Sequence, residues 1–344
     1  MPDKDYRLVV IGASAGGHSA VIELLNQMPA DINAAFVIVQ HTSADASLYF
    51  GQILQKRTKL HVEYATHGKK IERGGVYLSI PDHHLLVDDE GTLILSKGPT
   101  ENRTRPAIDP LFRNAAASFS NRVIGIVLTG MLNDGTSGLI AIKKCHGYTM
   151  VQSPKTAEYP EMPNHALQAV KPDICCSIEE MGGKIQKLVK GPLKDRVDVP
   201  TYIRQEAAIS RMIDSRIDLE NELGEKVPYG CPECGGPLWQ MKNEDTVRFR
   251  CHTGHGYTAE ALINGQNAQI EESLWIALRT LEERINILRK TLLNHEKHNH
   301  EPLIVNTRKK IEETEKSITI LREAMQIRPP VQEGLGTSIE IADC

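Results

Sequence analysis

Short apolar runs alternate with longer amphipathic segments over residues 1–190. Several runs have strand length and are apolar on both faces: residues 8–11, 35–39, 123–128, 149–152 and 174–178. Residues 76–80, and a hairpin that turns at residues 88–91, indicate a β-excursion between them. Buried strands separated by helices are typical of a parallel sheet that is covered on both sides. The pattern therefore predicts an α/β fold for this part of the chain.

The alternation stops at residues 191–200, which contain glycine and proline and are typical of a linker. A polar helix is expected over residues 202–223. From residue 258 onward, apolar residues recur every seven positions, as in an a/d seam: Leu274, Leu281 and Leu288; Leu278, Ile285 and Leu292; and, after a polar turn, Ile304, Ile311, Ile318 and Met325. The repeat predicts an antiparallel helical hairpin or coiled coil. Its seam is either a core within one chain or a surface shared with a second copy or a signalling partner.

Composition narrows the functional classes. The 344-residue chain has a net charge of −4, which argues against a general nucleic-acid binder. It has no apolar window of 18 residues, and its charged first residues lead directly into the first strand, so we expect no signal peptide and no membrane insertion. Seven cysteines without the spacing of a disulfide framework favour a reducing compartment. The sequence thus predicts a soluble, cytoplasmic protein.

The first predicted strand ends at Gly12, in a turn of small residues that leads into a helix. A G-x-S-x-G pattern between a strand and a helix is typical of a nucleophile elbow, which exposes the serine hydroxyl at the edge of the sheet. Ser14 is then the candidate nucleophile. A dinucleotide-binding turn needs the same geometry, although here Ser14 replaces its second glycine and no acidic residue ends the second strand. The turn alone leaves both interpretations open.

Two further strand ends carry groups that would complete a serine site. The second predicted strand ends in His41, and Asp134 follows a later strand, between Asn133 and Gly135. An imidazole can take the proton of a serine hydroxyl, and it does so best when a carboxylate fixes its tautomer. Taken singly, His41 is also compatible with an ordinary loop histidine, and Asp134 with a helix cap. Three such strand ends in one sheet favour a triad.

A group of cysteines and histidines in the second half has the spacing of a metal site. Cys231 and Cys234 form a C-x₂-C pair, and Cys251 follows after 16 intervening residues. Three cysteines and one histidine match a closed, tetrahedral structural zinc site. The fourth ligand is His255 or His252. His255 is favoured, because the side chain directly beside a bound cysteine usually points away from the metal.

These patterns divide the chain into five segments. Residues 1–190 are expected to form the catalytic domain, and residues 191–227 a linker and helix. Residues 228–257 are expected to form a zinc-binding module, residues 258–328 the helical hairpin, and residues 329–344 a disordered tail.

Five stretches resemble the motifs of one family, the catalytic domain of the chemotaxis protein-glutamate methylesterases (CheB type). They are, in family order, IGASAGG at residues 11–17, QH at 40–41, NRTRPAID at 102–109, LTGMLNDG at 128–135 and EYPEMP at 158–163. The resemblance runs from Arg7 to Val189. It implies a doubly wound, mostly parallel sheet and a triad of Ser14, His41 and Asp134. The order of the three residues along this chain is Ser, His, Asp. It agrees with this family and not with the α/β-hydrolases, in which the acid precedes the histidine.

The resemblance also implies a reaction. It is the hydrolysis of glutamate γ-methyl esters on methylated chemoreceptor proteins, with release of methanol, and often the deamidation of receptor glutamines. No cofactor is implied for catalysis. The resemblance makes the backbone N–H of Met131 an oxyanion donor, and geometry suggests the N–H of Ala15 as a second. Arg103 and Arg105 are expected to approach the substrate; a solvated loop is the alternative for both.

One feature differs from the family pattern. Members commonly carry an N-terminal receiver domain that covers the active site until it is phosphorylated, whereas the first strand begins here by residue 8. We therefore expect control to come from another part of the chain or from another protein. The alternative function is a non-catalytic signalling adaptor that acts through the zinc and helical regions. The intact set of Ser14, His41 and Asp134 argues against that alternative.

Overall fold

The computed structural model describes residues 5–193, 195–211, 221–242 and 246–327. The tail expected at residues 329–344 lies outside the described residues. Within the described ranges, no helix is long and apolar enough to cross a bilayer.

A seven-stranded parallel sheet forms the centre of the first half of the chain. The strands of this half are β1 (Arg7–Ala13), β2 (Ala34–Gln40), β3 (His61–Tyr64), β4 (Gly75–Leu78), β5 (His84–Val87), β6 (Leu93–Ser96), β7 (Val123–Val127), β8 (Tyr148–Gln152) and β9 (Ile174–Cys176). The order in the sheet is β3-β4-β2-β1-β7-β8-β9, while β5 and β6 form a separate antiparallel hairpin. Every residue of β1 is buried, which explains why its sequence is apolar on both faces.

Helices cover both faces of this sheet. They are α1 (Gly17–Asn26), α2 (Phe50–Gln55), α3 (Ile108–Phe119), α4 (Thr136–Lys144), α5 (Glu161–Val170), α6 (Ile178–Lys190) and α7 (Thr201–Ser210), with a short 3₁₀ helix at Ser120–Arg122. Apolar residues of α3, α4, α5 and α7 pack with one set of strand side chains, and those of α1, α2 and α6 pack with the other set. The predicted doubly wound α/β fold is therefore confirmed.

A small antiparallel sheet follows α7. Its strands are β10 (Gly224–Gly230), β11 (Pro237–Met241), β12 (Arg248–Cys251) and β13 (Gly256–Thr258), in that order. We call this region, residues 224–258, the Cys-His module. Its apolar core is small and includes Leu238, Phe249 and Tyr257. The first strand begins four residues before the expected boundary at residue 228.

Two long helices form the last described part of the chain, α8 (Ala259–Lys297) and α9 (Glu301–Ile327). By contacts, the described residues up to Leu262 form one compact unit and those from Ile263 form a second. In the second unit the predicted seam is present: Leu278, Ile285 and Ile318 are buried in one cluster. The expected C-terminal helical hairpin is therefore found.

Ion pairs along the hairpin define its direction. Glu282 pairs with Arg322, Arg289 with Glu315, and Glu296 with Arg308. Each step of seven residues along α8 is thus matched by a step of seven residues backwards along α9. The two helices are antiparallel, as the seven-residue repeat predicts.

The cysteines differ in state. Cys145, Cys176, Cys231, Cys234 and Cys251 carry free thiols, whereas Cys175 is disulfide-bonded. The cysteine spacing, which favoured a reducing compartment, did not indicate this bond.

Candidate active site

Three neighbouring strand ends carry the predicted triad. Ser14 directly follows β1, His41 directly follows β2, and Asp134 lies in the loop between β7 and α4. Because β1 pairs in parallel with both β2 and β7, the carboxyl ends of all three strands lie together. The fold thus brings together residues that are up to 120 positions apart in the chain.

The three side chains form a continuous hydrogen-bonded chain. His41 Nδ1 lies 3.2 Å from Ser14 Oγ, and His41 Nε2 lies 2.8 Å from Asp134 Oδ2. A carboxylate can only accept, so Nε2 carries the proton that is donated to Asp134. This tautomer leaves the lone pair of Nδ1 directed at the hydroxyl of Ser14. The imidazole is therefore oriented to take the serine proton.

The carboxyl group of Asp134 is 3% exposed and is held from several sides. Its Oδ2 accepts from the backbone N–H of Ile108 at 2.6 Å, and its Oδ1 from that of Asp109 at 3.2 Å. Both amides belong to the first turn of α3, where the helix dipole favours negative charge. Burial disfavours ionisation, but hydrogen bonds from His41, Ile108 and Asn102 outweigh it and lower the pKa of Asp134. The group is thus an anion at neutral pH.

Glycines permit the close approach around Ser14. Gly16, which precedes α1, has φ 73°, a left-handed conformation that favours glycine. A Cβ added at Gly130 would lie 2.8 Å from the Cβ of Ser14. The loop after β7 therefore packs directly against the serine, and only a residue without a side chain fits there.

The backbone amides around the serine differ in their acceptors. The amide of Ser14 donates to Thr129 O, and that of Gly130 donates to Tyr159 O. Within the described ranges, the amides of Ala15 and Met131 donate to no protein atom. These are the two amides expected from the sequence to face an oxyanion.

The Cys-His module gathers a second polar cluster. Ligand atoms of Cys231, Cys234, Cys251 and His255 all lie within 4.8 Å of one another. His255 Nδ1 is 3.3 Å from Cys251 Sγ and 3.7 Å from Cys231 Sγ. The geometry thus selects His255 over His252 as the fourth member. We call these four side chains the Cys-His cluster.

Residues 9–185, which are half of the chain, match the family model described as CheB methylesterase. The chain belongs to the CheB methylesterase family. The matched residues span the parallel sheet from β1 to β9, together with the loops that carry Ser14, His41 and Asp134. The Cys-His module and the helical hairpin lie outside the matched residues.

Curated relatives agree with this family. A putative protein-glutamate methylesterase/protein-glutamine glutaminase from Leptospira interrogans is 35% identical over 192 residues, which cover 56% of this chain and all of that protein. The protein-glutamate methylesterase/protein-glutamine glutaminase from Clostridium acetobutylicum is 34% identical over 183 residues, about half of each chain. The crystal structure of the Thermotoga maritima CheB methylesterase catalytic domain superposes with a TM-score of 0.52 at 28% identity, and covers 54% of this chain and 99% of that one.

The two arginines expected near the substrate differ in their surroundings. Arg103 is exposed and adopts φ 64°. Arg105, in contrast, contacts Asp82 through Nε at 3.0 Å and the carbonyl of Gly98 through Nη1 at 2.8 Å. The guanidinium of Arg105 thus holds its own loop, whereas that of Arg103 extends from it.

Two polar residues of this CheB-family site were missed by sequence reasoning. Asn102 donates to Asp134 Oδ1 at 3.0 Å and to Asp109 Oδ2 at 3.1 Å. Burial and the neighbouring charge of Asp134 raise the pKa of Asp109 to about 8. Asp109 resembles an ordinary acid in a first helical turn, and Asn102 an ordinary loop residue. Only their place within the NRTRPAID motif at residues 102–109 could have singled them out.

Proposed function

We propose that this protein is a serine methylesterase that hydrolyses glutamate γ-methyl esters on chemoreceptor proteins and releases methanol. The observation that carries the proposal is the hydrogen-bonded chain from Ser14 through His41 to Asp134, at the strand ends of a CheB-family sheet. The names of the relatives from Leptospira and Clostridium support the same reaction.

In the first half-reaction, Ser14 Oγ attacks the ester carbonyl while His41 Nδ1 takes the hydroxyl proton. The Asp134 carboxylate stabilises the resulting imidazolium, which then protonates the departing methoxide to give methanol. The product is an acyl-enzyme on Ser14. Water, deprotonated by His41, cleaves that ester and restores the serine and the free glutamate.

The N–H groups of Ala15 and Met131 stabilise the oxyanion in this proposal. In the described part of the chain neither group donates to a protein atom, and both belong to loops that meet at Ser14. Donors fixed before charge develops are worth about 10²–10³ in rate each. Arg103, which is exposed beside the site, is proposed to meet the acidic surroundings of the substrate.

A protein substrate suits the surface beside the triad. Met131, Leu132 and Tyr159 are large apolar residues that are 38%, 44% and 38% exposed. Clustered apolar exposure of this kind is typical of an interaction site. Deamidation of a glutamine follows the same route, with ammonia in place of methanol as the leaving group, and the double names of the relatives support it.

We further propose that the Cys-His cluster holds a structural zinc ion, while catalysis itself uses no cofactor. With Zn–S bonds of about 2.3 Å, the sulfurs of a tetrahedral site lie about 3.8 Å apart. Cys234 Sγ and Cys251 Sγ are 3.8 Å apart, which fits. Three thiolates and one imidazole close the coordination sphere, so zinc would stabilise the fold of the module. We also keep three predictions from the sequence as part of this proposal. The chain is divided into the five segments given above, it is located in the cytoplasm, and it does not bind nucleic acid.

The test of the function uses purified protein and receptor-bearing membranes that carry a labelled methyl ester. We expect the wild type to release methanol, and Ser14→Ala to release none above background. Ser43→Ala removes an exposed hydroxyl two residues after His41 and serves as the matched control, with unchanged release. Equal release from Ser14→Ala and wild type would contradict the triad. A wild type that releases nothing would favour the adaptor.

A further inference from the structure

Asn102 connects the triad to the Cys-His module. Its side-chain amide donates one hydrogen to Asp134 and the other to Asp109. Its carbonyl Oδ1 accepts from the backbone N–H of Thr258 at 3.0 Å, and its own N–H donates to Gly256 O at 2.8 Å. Thr258 and Gly256 both belong to β13 of the module. The module thus orients the side chain of Asn102, and that side chain in turn donates hydrogen bonds to two carboxyl groups.

Strand β13 begins directly after the last residue of the Cys-His cluster. His255 O accepts from Cys251 N at 2.9 Å, so the two cluster residues close a tight turn. The next residue, Gly256, donates to Thr100 O at 3.2 Å. A Cβ at Gly256 would lie 3.2–3.3 Å from the side chain of Glu101. The position of β13 against the loop that carries Asn102 therefore depends on the folded turn of the cluster.

A second connection reaches the neighbour of the triad aspartate. Thr258 Oγ1 donates to Asn133 Oδ1 at 3.1 Å, and Asn133 Nδ2 donates to Glu260 Oε2 at 3.0 Å. Asn133 directly precedes Asp134. The loop that presents the catalytic carboxylate is thus held by residues that follow the cluster.

Buried charges fix the module in place. Glu101, beside Asn102, pairs with Arg113 and with Arg250, which is next to Cys251. Glu206 of α7 pairs with Arg248 at 3.2 Å. All five side chains are at most 5% exposed. Separating the module from the sheet domain would leave these buried charges without their partners, which is strongly unfavourable. The folded module is therefore expected to stay docked.

We propose that the Cys-His module is a positioning element of the active site, which holds Asn102, and through it Asp134, in the orientation that the triad needs. The inference rests on the proposed methylesterase function and deepens it. Asn102 is a positioning residue, because it acts on His41 and Ser14 only through Asp134. Metal bound at the Cys-His cluster then supports catalysis without approaching the ester.

The first test compares Asn102→Ala with Asn121→Ala, whose side-chain Nδ2 donates to the backbone carbonyl of Asp195. We expect Asn102→Ala to lower kcat for methanol release about 10- to 100-fold, with KM little changed, because a small misplacement of a catalytic group costs this much. The low-field proton resonance of the His41–Asp134 hydrogen bond should shift, while the thermal midpoint stays near that of Asn121→Ala. Unchanged kcat and resonance in Asn102→Ala would overturn the inference.

The second test measures how fast Ser14 is labelled by a fluorophosphonate, before and after the metal is removed with a chelator and then restored with Zn²⁺. We expect removal to slow labelling of the wild type and Zn²⁺ to restore it, with a smaller effect in Asn102→Ala that is confined to the connection through Asn133, because changes that act through one residue do not multiply. No effect on the wild type, or equal factors in both proteins, would refute the coupling. The Leptospira relative is a control, since its whole length matches 56% of this chain, too little to contain both the sheet and the module.

These tests separate the two proposals. If the wild type labels at Ser14 and the coupling to metal is seen, but no methanol is released from receptors, the proposed substrate is wrong and the positioning role stands. If methanol is released and neither Asn102→Ala nor metal removal matters, the function stands and the positioning role is wrong.

Discussion

The triad and the Cys-His cluster are both small sets of polar side chains, but the chain builds them differently. Ser14, His41 and Asp134 come from three strand ends of a large, doubly covered sheet. The four cluster residues lie within 25 positions of one another, over a core of only a few apolar side chains. The first arrangement is maintained by buried strands, whereas the second, in the zinc proposal, would depend on the metal that its own side chains bind. The sheet thus holds distant residues together by burial, and the module would need its proposed metal.

Asp134→Asn should have the largest effect. It tests the site at the strand ends of the parallel sheet and leaves the Cys-His cluster unchanged. An asparagine can turn its N–H towards His41 and stabilise the wrong tautomer, so kcat should fall about 10⁴-fold. Methanol release measures it, with zinc content determined in parallel and expected to be unchanged. Asp45→Asn, in the exposed loop after His41, is the matched control. A loss below about tenfold would mean that Asp134 does not orient the imidazole.

Arg250→Met should have the next largest effect and breaks the docking between the two regions. It leaves Glu101 and Glu206 with less positive charge in a buried cluster, which typically costs about 3–5 kcal/mol of unfolding free energy. Urea denaturation measures it. Arg279→Met, at a side chain that is 69% exposed, should change stability by less than about 1 kcal/mol. Equal effects of the two substitutions would show that the buried cluster does not hold the module.

Asp109→Asn should have the smallest effect and reports on the carboxyl pair beside Asn102. The pKa of Asp109 is raised to about 8 in the folded protein, so folding favours its protonated form. The wild type should therefore lose stability relative to Asp109→Asn as pH rises towards about 8, by at most about 1.4 kcal/mol per pH unit, and the difference should then level off. Urea midpoints from pH 6 to 9 measure the slope. A difference that does not change with pH would show that Asp109 is already ionised at pH 6.

Sequence patterns predicted the features that have a local signal. Apolar runs predicted the parallel sheet, the seven-residue repeat predicted the hairpin, and strand-end positions singled out Ser14, His41 and Asp134. The C-x₂-C spacing and the positions of Cys251 and His255 pointed to the set that includes His255. Each of these depends on residues that are close in the chain or on the edge geometry of parallel sheets.

The missed features depend on pairings between distant polar residues. Asn102 meets Thr258 across 156 positions, and Glu101 meets Arg250 across 149. Such pairings produce no periodic pattern in the sequence. A charged residue is usually exposed, and the sequence does not distinguish a buried arginine or glutamate from an exposed one. Arg105 is a related case: a basic residue in a polar loop predicts substrate contact, which stays a prediction, and its pairing with Asp82 had no signal in the sequence. Burial, not residue type, distinguishes these roles.

The separation of 156 residues between Asn102 and Thr258 also orders events during synthesis. All seven strands of the parallel sheet lie before residue 177, so the sheet can assemble on the ribosome while later codons are still being read. The hydrogen bond from Thr258 to Asn102 becomes available only when β13 has left the exit tunnel. A nascent chain would therefore carry Ser14, His41 and Asp134 in a folded sheet before the bond from Thr258 to Asn102 can form, and under the proposed positioning role full esterase activity would be reached only late in translation.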